Sequence, residues 1–244
     1  MSIRRGVMIL TATALGCAAM AYVPYRYAAN AKQRADLWET RWSRLRASPA
    51  SLDRYREDNA RLRREPRGGR VVFLGASVTE GFDVARVLTD ERAVNRGISG
   101  QLLWQEYLRL DDDVISYAPS AVVPEVCATN FDARAPSLAD TQRYYERLVE
   151  SARARGVRPV LATVIPVTRA WARDEGGGEA IEGRIAAMNA WIREYARSHG
   201  DAVIDWAAAM ADEHGTLRAE LTDDGLHPNA AGYARMVELV RAAL

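Results

Sequence analysis

Short apolar runs rich in β-branched and aromatic residues alternate along this chain with stretches of helical character, and that alternation constrains the fold more than any other feature. The runs lie at residues 71–74, 93–95, 121–128, 159–165 and 202–205. Helices are predicted over about 102–117, 137–155 and 179–198, and from about 229 to the end. Strands that recur between helices pair in parallel, because each crossover returns the chain to the same end of the sheet. The expectation is an α/β fold of three layers, with a five-stranded parallel sheet between two layers of helices. Pro124 inside the third run lacks the N–H that a central strand needs, so a bulge or irregular start is expected there.

A sheet of this kind binds ligands beyond the carboxyl ends of its strands, where strand order reverses. In the flavodoxin-like order 2-1-3-4-5 that point lies between the first and third strands. The stretch 70–81 delivers Ser77 to this end, two residues after Gly75 closes the strand. A helix beginning at Ser77 would offer unpaired N–H groups to a developing negative charge. On this stretch alone, however, a plain helix N-cap accounts for the serine better than a nucleophile. Asn130, after the third strand, would face Ser77 across the crevice, with Gly100 beside them after the second.

The ends of the chain differ in charge. Residues 1–70 hold 15 basic and 6 acidic side chains, leaving 18 and 26 for the remainder, so a part near +9 precedes one near −8. A basic front end fits a solvated helix or contact with anionic lipid, and nucleic acid is not expected because no binding motif accompanies it. Arg4 and Arg5 precede an uncharged run at 6–25 that is long enough to cross a bilayer. It reads as a signal anchor, as a signal peptide cleaved after Ala21, or as a lipoprotein leader ending at Cys17. Each reading puts the rest of the chain outside the cytoplasm, in the cell envelope or secreted. Residues 1–27 are therefore assigned to the leader, 28–69 to a helical arm and hinge, and 70–244 to the main domain. In the arm, Trp38, Trp42 and Leu45 share one face, and Leu52, Tyr55 and Leu62 follow after Ser48-Pro49, so self-association through it is open to the chain. Cys17 and Cys127 form neither a disulfide framework nor a metal cluster, and Cys127 reads as a small buried hydrophobe. No cofactor or metal is called for.

Of three histidines, His199 and His214 precede glycines at expected helix ends. His227 instead stands in the turn-rich segment Thr222-Asp223-Asp224-Gly225-Leu226-His227-Pro228-Asn229, three residues after an aspartate. Alone, such a pair is a surface loop. With Ser77 at the end of the first strand it supplies nucleophile, orienting acid and base in the order Ser, Asp, His.

With these residues in place the chain resembles the SGNH (GDSL-type) hydrolase family over residues 70–244. The family's blocks are matched by Gly75-Ala76-Ser77-Val78, Asn95-Arg96-Gly97-Ile98-Ser99-Gly100, Ala128-Thr129-Asn130 and Asp224-Gly225-Leu226-His227-Pro228. The resemblance implies Ser77 as nucleophile, His227 as base and Asp224 as its partner. It also implies an oxyanion hole from the N–H groups of Ser77 and Gly100 and the side-chain amide of Asn130. Two departures stand out: Ala76 replaces the family's aspartate, and Phe131 replaces the acidic residue after the asparagine, which suggests an aromatic wall in the pocket. The expected activity is that of a serine esterase on small acyl esters, among them acetyl groups on carbohydrate. A lipid acyl esterase, an acyltransferase using the same triad, and a non-catalytic binding module are the alternatives. The expected partners are a small-molecule or glycan ester, and the membrane through the N-terminal segment.

Overall fold

The computed structural model describes residues 51–65, 69–87, 92–132, 135–174, 178 and 180–244. The leader at 6–25, the Trp38 and Trp42 face of the arm, Arg67-Gly68 of the hinge and most of the glycine run at 176–178 lie outside them. Five parallel strands make the sheet: β1 (Val71–Gly75), β2 (Ala93–Gly97), β3 (Ala121–Pro124), β4 (Arg158–Ala162) and β5 (Ala202–Ile204). Their order is β2-β1-β3-β4-β5, so the reversal falls between β1 and β3 as expected.

Successive side chains of β1 point to opposite faces, and both faces are covered. Val72 and Leu74 belong to one core, with Leu103, Leu110, Tyr145, Leu148 and Ile185. Val71 and Phe73 belong to the other, with Trp206, Met210, Met236 and Val240. The first face carries α1 (Arg56–Leu62), α3 (Leu103–Leu108), α4 (Leu110–Asp113), α5 (Leu138–Ala154) and α7 (Ala180–His199). The second carries α8 (Trp206–Met210) and α9 (Ala230–Ala243). Two further short helices, α2 (Ser77–Glu80) and α6 (Arg169–Asp174), lie in loops at the carboxyl ends of strands.

Several boundaries differ from expectation. β3 stops at Pro124 rather than 128. Glu125 N–H donates to the Leu74 carbonyl at 2.8 Å, so by alternation the Pro124 nitrogen faces β4, whose pairing with β3 is confined to Ala121 and Val122. The proline's missing donor therefore breaks no ladder bond. The helix predicted over 102–117 is divided at Arg109 into α3 and α4 and ends in a turn at Ile115–Tyr117. Arg109 leaves helical geometry there while its side chain runs inward, as described below. A further helix, α6, stands between β4 and the helix predicted over 179–198, where none was predicted.

All the described residues fall within one unit, Ala50–Leu244. The arm's second segment is thus packed on the sheet, through buried Leu62 and through polar contacts. Asn59, 1% exposed, accepts from Arg96 Nε and Nη2 at 3.0 and 2.8 Å and donates to Asp113 Oδ1 at 2.6 Å. The Tyr55 hydroxyl donates to the Gly97 carbonyl at 2.5 Å. Among the described residues no helix is long and apolar enough to cross a membrane.

Candidate active site

Ser77 is the first residue of α2, so its N–H has no intrahelical acceptor, and its side chain is half-buried at the end of β1. The turn is tight enough to require glycine on the neighbouring strand: a Cβ on Gly97 would lie 2.0 Å from the Glu80 nitrogen and 2.6 Å from the Thr79 carbonyl carbon. Packing β2 directly against the α2 backbone in this way sets the serine beside the Gly97-Ile98-Ser99-Gly100 segment. That segment is tied down by Ile98 N–H on the Gly75 carbonyl at 3.0 Å and by Ser99 N–H on Glu80 Oε2 at 3.0 Å. Gly100 follows with φ +81°, in the left-handed region that other residues rarely adopt.

The segment 222–229 reaches the same place from the far end of the chain. His227 Nε2 lies 2.9 Å from Ser77 Oγ, and His227 Nδ1 lies 2.7 Å from Asp224 Oδ2. Asp224 Oδ1 accepts the N–H groups of Leu226 and His227 at 2.9 and 2.8 Å, which makes the aspartate the organiser of its own turn. The Thr222 hydroxyl braces the turn from beneath: it accepts from Gly225 N–H at 2.9 Å and donates to the His227 carbonyl at 2.7 Å. Gly225 has φ +84°, and a Cβ there would strike Thr168 and Trp171, so α6 walls the loop closely.

Partial burial works to raise the Asp224 pKa, but the hydrogen bonds from the His227 ring and from the two backbone N–H groups prevail and hold the carboxyl below its usual value. An ionised Asp224 accepts the hydrogen bond from His227 Nδ1–H and so leaves the Nε2 lone pair for the serine O–H. The geometry can therefore draw a proton from Ser77 while keeping the resulting imidazolium paired.

Asn130 sits in a single turn of 3-10 helix, Ala128–Phe131, after β3, and is buried. Its Oδ1 accepts Leu103 N–H at 2.9 Å, and one Nδ2 hydrogen goes to the Cys127 carbonyl at 3.1 Å. These contacts fix which way the amide faces, and a primary amide retains a second N–H. Phe131 does not form a wall of the crevice: it is 1% exposed and packs in the first core. With an aromatic ring in place of the family's acidic side chain, burial wins over exposure to the crevice. Cys127 is buried as expected, with Sγ 3.9 Å from Ser77 Oγ, and burial pushes its thiol up to about 11. His199 stacks on Tyr195 at 4.0 Å between centroids, and His214 lies beside Glu213, so neither joins the site.

The structure also brings in residues that pattern reading passed over. Glu125, 3% exposed, accepts from Ala76 N–H at 3.0 Å and Thr79 Oγ1 at 3.1 Å with a single oxygen, Oε2. Arg109, fully buried, spans from α3 to the Gly75 carbonyl at 2.9 Å. Glu106 lies fully buried with both carboxylate oxygens lacking a protein partner, and burial, then the field of Glu125, pushes its pKa well above the usual range. The available signal was a carboxylate in an apolar run and an acid–base pair on a helix face turned inward.

The fold and this constellation define the class: a doubly wound α/β protein whose switch-point crevice holds serine, histidine and aspartate in a hydrogen-bonded file. Residues 73–235 match the model of the GDSL-like lipase/acylhydrolase family, and the chain belongs to that family and is a hydrolase. Among solved structures it is similar to a GDSL-like lipase from Bacteroides thetaiotaomicron, 29% identical with a TM-score of 0.68, covering 80% of this chain and 97% of that one. A lipase/acylhydrolase from Enterococcus faecalis shares the fold at 23% identity and a TM-score of 0.60, covering 72% and 94% of the two chains. A catalytic mutant of an acetylxylan esterase from Geobacillus stearothermophilus does so at 18% and 0.58, covering 72% and 93%. No curated protein matches the chain significantly in sequence.

Proposed function

We propose that this hydrolase is a serine esterase that cleaves small acyl esters, acetyl groups on carbohydrate among them, at the cell envelope. The observation that carries the mechanism is the file from Asp224 through His227 to Ser77, at 2.7 and 2.9 Å. Ser77 Oγ attacks the ester carbonyl as its proton passes to His227 Nε2, and the imidazolium is stabilised by Asp224. The tetrahedral oxyanion is met by the N–H groups of Ser77 and Gly100 and by the Asn130 amide. His227 then gives its proton to the departing alcohol, leaving an acyl-serine that a water, deprotonated by the same imidazole, hydrolyses. The acetyl preference draws on the acetylxylan esterase that shares this fold. The location draws on the uncharged run at 6–25 behind Arg4 and Arg5.

The test is Ser77→Ala in the full chain. Ester hydrolysis and labelling by a fluorophosphonate probe should both vanish while the melting temperature barely moves, and a variant that still turned over ester would refute the nucleophile. Esters graded from acetyl to dodecanoyl then check the substrate class, because a rate that climbs with chain length would overturn the small-acyl reading. Protease accessibility of the domain in intact cells checks the location, and a domain protected on the cytoplasmic side would refute it.

A further inference from the structure

The peptide unit between Gly75 and Ala76 immediately precedes Ser77, and both of its polar ends are held by buried polar side chains. Its carbonyl accepts Arg109 Nη2 at 2.9 Å as well as the Ile98 N–H at 3.0 Å. Its N–H donates to Glu125 Oε2 at 3.0 Å. Arg109 is itself fixed by Asp113 at 2.8 Å, Gln101 at 2.7 Å and the Arg96 carbonyl at 2.7 Å. We propose that Glu125 is a positioning residue for Ser77, gripping this peptide unit against Arg109 and so fixing where the serine oxygen stands relative to His227. The inference rests on Ser77 being the nucleophile.

Three features of the turn carry it. Ala76 precedes the first helical residue, so its buried N–H has no intrahelical acceptor, and its own methyl cannot supply one. The acceptor comes from the neighbouring strand's exit, and it also takes the Thr79 hydroxyl at 3.1 Å, so one carboxyl oxygen brackets Ser77 on both sides in the chain. Gly75 keeps the space for this: a Cβ there would lie 2.5 Å from Glu125 Oε2 and 2.2 Å from Thr79 Oγ1. A leucine in place of Glu125 would fill similar volume while freeing the Ala76 N–H. The peptide unit could then rotate about the Arg109 anchor, and displacements of about 1 Å at a reacting atom cost on the order of 10²-fold in rate.

The experiment measures kcat and KM on p-nitrophenyl acetate, the fluorophosphonate labelling rate and the melting temperature for the full-length wild type, Glu125→Leu, Glu125→Gln and Ser77→Ala. Glu125→Leu should lower kcat and labelling by about 10- to 100-fold with KM within about twofold. Glu125→Gln should recover most of that loss, because its amide oxygen can still accept the Ala76 N–H. A folded Glu125→Leu protein with wild-type kcat and labelling would overturn the proposal, as would a Gln variant as impaired as the Leu variant. If Glu125→Leu does not fold, Thr79→Val decides: labelling slowed threefold or more supports the grip, and an unchanged rate refutes it. Residual activity in Ser77→Ala would instead sink the nucleophile reading, so the two failures are distinguishable.

Discussion

Glu106→Met should make this protein more stable, and more so at higher pH. Glu106 is fully buried on α3, and neither carboxylate oxygen has a protein partner. A buried polar atom without a partner costs roughly 1–3 kcal/mol, whereas methionine has similar length and no such atoms. A net gain of about 2 kcal/mol is expected, which for a unit of this size is about 4–8 °C in Tm. The sign of the pH dependence follows from the raised folded-state pKa of Glu106. Below the ordinary glutamate value both folded and unfolded chains carry the proton, and wild type loses nothing to ionisation. As pH rises above that value the unfolded chain ionises while the folded one stays protonated, so wild type loses stability until its own folded pKa is reached. The methionine variant lacks this loss, and its advantage grows through that window by at most about 1.4 kcal/mol per pH unit. Melting curves of the two proteins at pH 5 and pH 8 measure it. A lower Tm for the variant, or a gain identical at both pH values, would refute the reasoning.

The remaining predictions concern the Asn130 amide and the arm. Asn130→Ala should lower kcat by about 10²- to 10³-fold with KM little changed. Because the amide also holds Leu103 N–H and the Cys127 carbonyl, the same variant should lose on the order of 1–3 kcal/mol in denaturant unfolding; stability loss with normal turnover would remove Asn130 from the oxyanion hole. A chain begun at residue 70 should melt roughly 6–12 °C below one begun at residue 51, since it loses the buried Leu62 side chain and the Asn59 hydrogen bonds to Arg96 and Asp113, together about 3 kcal/mol. Equal melting temperatures would show that α1 contributes nothing to the fold.

Strand and helix alternation, and with it the layer order, was legible because periodic burial is written locally in residue type, while the reversal between β1 and β3 came from the flavodoxin-like order taken for such a sheet. Ser77, Asp224 and His227 were legible as well, each standing in a short turn whose chemistry is local, although 150 residues separate the serine from the histidine that meets it. What no local pattern holds is the environment of a side chain once distant segments converge. Glu125 falls within the run read as strand to residue 128, yet it lies just beyond β3 and its carboxyl takes up the N–H just before Ser77. Phe131 looked like a pocket wall and is core, and Arg109 looked like one residue of a continuous helix and ends it by reaching to β1. Residues 56–62 read as part of an arm, whereas Asn59 completes a buried polar layer with Arg96 and Asp113, from two other segments. The sequence alone therefore determined the fold and pointed to the residues proposed for the chemistry. Tertiary structure decided which groups hold them in place, because the worth of a buried charge depends on partners that only folding brings within hydrogen-bond distance.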